Sequence, residues 1–138
     1  GREPLWRRAV GRTGAAGIVL VAEEADGGLV GFASGGPHHG TLGYAGEVYT
    51  LYLRRDRQGR GLGGALFRAV AGQLREAGFD SLALWVLATN ARARSFYEAQ
   101  GGRLVREQAI VFDGLPLREA GYGWRDGAAI GRGGRRDG

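Results

Sequence analysis

The sequence predicts an α/β domain in which helices pack against a mixed sheet, and three observations predict it. Residues 18–23 and 29–34 are short apolar runs on either side of Asp26-Gly27-Gly28, the pattern of a β-hairpin. Residues 47–53 and 82–87 read as further strands, each leading into a segment of helical pattern. Between them Leu62, Leu66, Val70 and Leu74 fall at four-residue spacing, one apolar stripe aimed at a sheet. The order strand–helix–strand–helix–strand places helices against a mixed sheet.

Taken in order, residues 1–17 are basic, with Leu5, Trp6 and Val10 as the bulky apolar residues, and are expected to hold a short helix end. Residues 35–46 carry several glycines, Pro37 and the pair His38-His39, so a loop is expected. Residues 47–53 alternate Val48, Thr50 and Tyr52 against Tyr49, Leu51 and Leu53, a strand with apolar contacts on both faces. A helix over 65–77 ends at Gly78, a C-terminal cap. The continuous apolar run 82–87 suits a strand covered on both sides. Thr89 or Asn90 caps the next helix, which turns Ala93 and Phe96 inward and stops at Gly101-Gly102. Residues 103–112, Asp113-Gly114 and 117–124 complete a final hairpin. The chain thus divides into a remnant over 1–17, a domain over 18–124 and a Gly/Arg tail over 125–138 read as disordered.

Composition narrows the chemistry. At 138 residues, 43% hydrophobic and 24% charged, the chain is one ordinary globular domain. Cys is absent, which removes disulfides, thiolate metal sites and a cysteine acyl-enzyme. No apolar run approaches the ~20 residues of a membrane span, and no signal peptide opens the chain. The expected setting is the bacterial cytoplasm, with no membrane partner. A net charge of +5 and a pI near 10.4 raise a nucleic-acid reading. All of the basic charge is Arg, however, and one cluster brackets a glycine-rich turn, so no nucleic-acid partner is expected.

That turn is Gln58-Gly59-Arg60-Gly61-Leu62-Gly63-Gly64, between a strand and a helix. Unpaired N–H groups and the positive end of the helix dipole suit it to a phosphate. A P-loop would need Lys-Ser or Lys-Thr where Gly64-Ala65 stands. A Rossmann fingerprint would need a carboxylate at the end of the next strand, which instead runs into Ala88-Thr89-Asn90.

Gln58-x-x-Gly61-x-Gly63, then a helix and an apolar strand, then Asn90, Ala93, Phe96, Tyr97 and Gly101 in the pattern Asn-x-x-Ala-x-x-Phe-Tyr-x-x-x-Gly, resembles the GCN5-related N-acetyltransferases (GNAT). The resemblance runs over about residues 19–124. It implies a mixed, mostly antiparallel sheet flanked by helices, and acetyl transfer from acetyl-CoA to a primary amine by direct attack in a ternary complex. Backbone groups over Gln58, Gly59, Arg60, Gly61, Leu62, Gly63 and Gly64 would hold the pyrophosphate, with Arg57 or Arg60 adding charge. Leu51, Tyr52 and Leu53 would carry the pantetheine arm as an added strand, and Asn90 would contact it or serve as an N-cap. Tyr97 is the candidate general acid for the leaving thiolate, or else a core aromatic. Glu47 is the candidate general base, or else a carboxylate that steers a cationic acceptor.

The resemblance leaves the acceptor open among small-molecule and peptide amines, and a homodimer closing the end of the sheet is common among look-alikes. No metal is expected, since adjacent His38 and His39 lack further ligands; a place on the lip of the acceptor site is their other reading. Ser95 has no Asp–His relay to make it a nucleophile. The family places a strand and one or two helices before the 18–34 hairpin, whereas about seventeen residues stand there in this chain. Either that part was trimmed or the acceptor side is reduced. An acyl-CoA-binding module without catalysis is the rival reading.

Overall fold

A computed structural model describes residues 5–8, 17–59 and 61–130. Seven strands form one sheet: β1 (Leu5–Arg8), β2 (Ile18–Glu23), β3 (Leu29–Pro37), β4 (Gly46–Leu53), β5 (Leu82–Leu87), β6 (Arg103–Phe112) and β7 (Leu115–Trp124). They lie in the order β1-β2-β3-β4-β5-β7-β6. Every neighbouring pair is antiparallel except β4 and β5, which are parallel and joined through helix α1 (Leu62–Glu76). Helix α2 (Ala91–Ala99) links β5 to β6. This is the mixed, mostly antiparallel sheet with flanking helices that the sequence predicts.

The apolar stripe of α1 is the centre of the core. Leu66, Phe67, Val70 and Leu74 are fully buried against Ile18, Leu20, Ala33 and Val48 on one side and Leu82, Leu84, Tyr122 and Trp124 on the other. Burying each such side chain contributes about 1.5–3 kcal/mol, enough to fix which face of the sheet the helix takes. Phe67 also meets Phe96 and Tyr97 edge-on, so α2 lies on the same face as α1. The opposite face is covered at β5 and β7 by residues 38–45. Leu42 and the Trp85 ring pack over Gly121, and a Cβ at Gly123 would overlap the Tyr44 ring.

Several boundaries differ from the sequence reading. Residues 5–8 form a strand against β2 rather than a helix end; the rest of 1–17 lies outside the described residues, except Gly17. Residues 35–37 extend β3 instead of opening a loop. A Cβ on Gly35 would stand 2.7 Å from the Glu47 carbonyl oxygen and 2.8 Å from a Leu74 methyl, so glycine there permits the close approach of strand and helix. Helix α1 begins at Leu62, three residues earlier than expected, and takes Gly63 and Gly64 into its first turn. Its end is as expected: Gly78 has φ +104°, and the Phe79 N–H donates to the Leu74 carbonyl. Strand β7 begins at Leu115, since Asp113 (φ 53°) and Gly114 (φ 78°) alone make the turn. In the 125–138 tail, Gly127–Ala129 form a 3-10 turn tied to Asp80, and Ile130 packs on the core. Residues 131–138 lie outside the described residues.

Candidate active site

The parallel pair β4–β5 is joined only at Gly46–Leu82 and Glu47–Ala83, after which the strands part. The cause lies on β4 itself. Ser34 pairs with Thr50 and Gly35 with Val48, so Tyr49 is an extra residue without a partner on β3, a β-bulge. The bulge bends β4 away while β5 stays paired with β7 along its whole length. It also reverses the alternation of faces: Val48 points into the core beside α1, and three residues on so does Leu51. Strict alternation along 47–53, expected from the sequence, is interrupted there.

The fork exposes backbone. The Arg54 N–H donates to the Val30 carbonyl at 2.7 Å, so Tyr52 turns its amide groups to β3 while Leu51 and Leu53 turn theirs into the fork. The Leu53 carbonyl accepts from Gln58 Nε2 at 3.1 Å, which ties the glycine turn to the strand end. Leu51 faces no partner strand on that side among the described residues.

The turn leads to a helix start with no cap. Gly59 (φ 81°) and Gly61 (φ 78°) occupy left-handed conformations that a Cβ disfavours. No side chain caps α1 at Gly61, its first turn holds no acidic residue, and the first bond of this turn runs from the Ala65 N–H to the Gly61 carbonyl. Among the described residues the N–H groups of Leu62, Gly63 and Gly64 therefore have no helical acceptor, at the positive end of the dipole. Together the fork and this helix end bound a cavity of about 470 Å³, lined among others by Leu51, Leu53, Gln58, Gly59, Gly61, Gly63 and Gly64.

Helix α2 supplies the opposite wall through Asn90, Arg92, Ala93, Phe96 and Tyr97. Asn90 Oδ1 accepts from the Ala93 N–H at 3.1 Å, so Asn90 is the N-cap and a wall residue at once. Tyr97 packs against Phe67, Phe96 and Trp124, with ring centroids 5.1–6.2 Å away. Burial raises its phenol above the usual 10.0, so it is protonated at neutral pH. Among the described residues its hydroxyl has no hydrogen-bond partner, an open donor facing a cavity.

Glu47 sits at the vertex of the fork on the face away from α1 and α2, next to Val48, which points the other way. It accepts from His38 Nδ1 at 2.8 Å. The side chain of His38 is 1% exposed, which removes it from the lip of any acceptor site, whereas His39 is exposed. Among the described residues no group of three or more His, Asp or Glu is placed to hold a metal ion. No helix among them is long and apolar enough to cross a membrane.

Most of the predicted site residues thus converge. Four stand apart: Glu47 lies on the opposite face of the sheet, Arg57 binds Glu24 (Nε to Oε2, 2.6 Å) and Asp56, Tyr52 stacks on Phe32 across that other face, and Leu62 is not among the residues that line the cavity. Arg60 lies outside the described residues. The sequence reading missed Arg92, a cation in the first turn of α2 whose one signal is its position two residues after Asn90. A second cavity of about 500 Å³, near Leu87, Thr89, Arg94 and Arg118, has both of its arginines drawn to one carboxylate, Arg94 to Glu107 at 3.2 Å and Arg118 to Glu107 at 3.8 Å.

A forked parallel pair over an uncapped, glycine-rich helix start is the arrangement that the motifs imply, and comparison with known proteins agrees. A family profile described as the Acetyltransferase (GNAT) family matches residues 2–102. The chain belongs to that family. A GNAT-family acetyltransferase of Elizabethkingia anophelis, solved with acetyl-CoA bound, superposes with a TM-score of 0.70 at 12% identity, over 88% of this chain and 97% of that one. That likeness is one of fold. The uncharacterized N-acetyltransferase YuaI of Bacillus subtilis is 39% identical over 113 residues, 81% of this chain and 65% of its own length. The mycothiol acetyltransferase of Beutenbergia cavernae is 46% identical over 56 residues, 41% of this chain and 19% of its own length. The chain therefore spans less than two thirds of either relative.

Proposed function

We propose that this GNAT chain moves the acetyl group of acetyl-CoA directly to a primary amine within a ternary complex. The observation that carries the reading is the fork between β4 and β5 opening onto the uncapped start of α1. Its parts fit the co-substrate. Unpaired N–H groups at Leu62, Gly63 and Gly64 suit a pyrophosphate, and left-handed Gly59 and Gly61 keep side chains out of its way. Leu51 offers an N–H and a carbonyl to the amides of a pantetheine arm, in the manner of an added strand. Arg92 places a positive charge on the wall.

In this reading thioester and amine meet at the vertex from opposite faces of the sheet. The amine lone pair attacks the carbonyl carbon, the carbon–sulfur bond breaks, and the departing thiolate takes the phenolic proton of Tyr97. The proton released from the amine passes to Glu47, and solvent restores the Tyr97 proton. Alignment of the two reactants supplies the largest part of the acceleration, up to about 7–11 kcal/mol. The acceptor is a small-molecule or peptide amine, in keeping with relatives named for N-acetyl and mycothiol acetyl transfer.

The test is release of free thiol from acetyl-CoA across a panel of amines, with hydrolysis in the absence of amine subtracted. Amine-dependent release supports transfer. Tight acetyl-CoA binding with no release for any amine would assign the chain to an acyl-CoA-binding role instead.

A further inference from the structure

We propose that His38 is a positioning residue for Glu47, fixing which carboxylate oxygen is free to receive the proton of the amine. The inference rests on the acetyl-transfer reading and concerns a histidine that neither family motif includes.

The hydrogen bonds around the ring determine its state. The Leu42 N–H, which can only donate, points at His38 Nε2 at 3.2 Å. Nε2 must therefore present its lone pair, and the neutral ring carries its single hydrogen on Nδ1. That hydrogen is donated to Glu47 Oε1 at 2.8 Å. Oε1 is thereby engaged and oriented, and Oε2 is the oxygen left for substrate. The Glu47 side chain remains 19% exposed, so the carboxylate stays within reach from the acceptor face.

The ring has little freedom to leave this position. A Cβ on Gly40 would stand 3.0 Å from His38 Cε1, so the loop passes directly over the imidazole. The His38 N–H donates to the Ala45 carbonyl at 3.0 Å and the Tyr49 hydroxyl to the Pro37 carbonyl, closing the base of the loop. Farther out, Arg106 donates to Thr41 Oγ1 at 2.8 Å and Arg125 to the Gly43 carbonyl at 2.9 Å. A loop held at so many points serves to present one N–H to one carboxylate at the vertex of the fork.

The geometry gives a test that packing alone would not satisfy. In His38→Asn the amide nitrogen lies near the place of Nδ1 and keeps a donor for Glu47 while leaving Leu42 unserved. In His38→Gln the amide lies near the place of Nε2 and does the reverse. With the best amine from the panel, His38→Asn should retain most of kcat, and His38→Gln should lose about 10- to 100-fold, the scale of a misplaced reacting group. KM for acetyl-CoA should stay within twofold, about the scatter of such assays, because its cavity lies on the other face. In a Glu47→Gln background His38→Gln should cost no further kcat, since its effect passes through the carboxylate. Melting temperatures of both single variants report whether the fold survives. No amine-dependent release from wild type would overturn the transfer reading itself. Release by wild type with His38→Gln equal to or better than His38→Asn, or with full additivity in the Glu47→Gln background, would overturn the positioning role alone.

Discussion

Replacing Gly63 by Ala should raise stability and weaken acetyl-CoA binding at the same time. Gly63 is the second residue of α1, in an ordinary helical conformation, and a Cβ built there meets only Phe96 Cε1 at 3.9 Å. The methyl therefore fits the unliganded protein without strain, and the lower chain entropy of Ala favours the helix by about 0.5–1 kcal/mol. For a domain of 138 residues this corresponds to a rise in melting temperature of roughly 2–5 °C. The same methyl enters the cavity wall that Gly63 lines, beside the N–H groups offered to the pyrophosphate. Overfilling such a contact costs about 1–3 kcal/mol, or roughly 5- to 150-fold in Kd. Thermal melts without ligand and calorimetric titration with acetyl-CoA read the two effects separately. A variant that is stabilised and binds with wild-type affinity would refute the assignment of this helix start to the phosphates.

Further expectations follow from the same site. Tyr97→Phe should lower turnover by about 10²–10⁴-fold while leaving acetyl-CoA affinity nearly unchanged, as single-turnover assays and titration would show. Glu47→Gln should depress turnover most at low pH, where the amine is mainly protonated, and recover in part at high pH. If raising salt instead closes the gap with wild type and the defect lies in KM, Glu47 steers a cationic acceptor rather than taking its proton. Burial raises the Tyr97 phenol, so above about pH 10 an unfolded chain gives up that proton while the folded protein keeps it. The contribution is intact below that pH and is lost as pH rises through the folded value. Denaturant midpoints between pH 9 and 11 should therefore fall, and less steeply in Tyr97→Phe.

Much of this site was legible in the sequence because its parts are local. The turn glycines at 59 and 61 and the Asn90 cap each declare their conformation through residue type and neighbours, and the order of the two motifs along the chain supplies the rest. What the sequence did not disclose depends on contacts between distant segments. The bulge at Tyr49 exists only relative to its pairing with Ser34 and Gly35. Gly35 and Gly36 read locally as loop, yet they sit in β3 because Glu47 and Leu74 press against that strand. Arg57 looked available for a phosphate beside the glycine turn, but Glu24, 33 residues earlier, already holds it. The bond between His38 and Glu47, nine residues apart, was hidden too, because residue 38 returns to the start of β4 only through the fold of the 38–45 loop.

The most direct measurement of the central claim is a titration of backbone amide resonances with acetyl-CoA. Binding in the fork predicts the largest shifts at Leu51, at Leu62, Gly63 and Gly64, and at Asn90, with Tyr97 affected through its side chain. Residues 115–121 of β7, which lies between β5 and β6 on the far side of β5 from the fork, should move little. Saturable binding whose shifts centre instead on the cavity at Leu87, Thr89 and Arg118, or no shift at millimolar acetyl-CoA, would contradict the account.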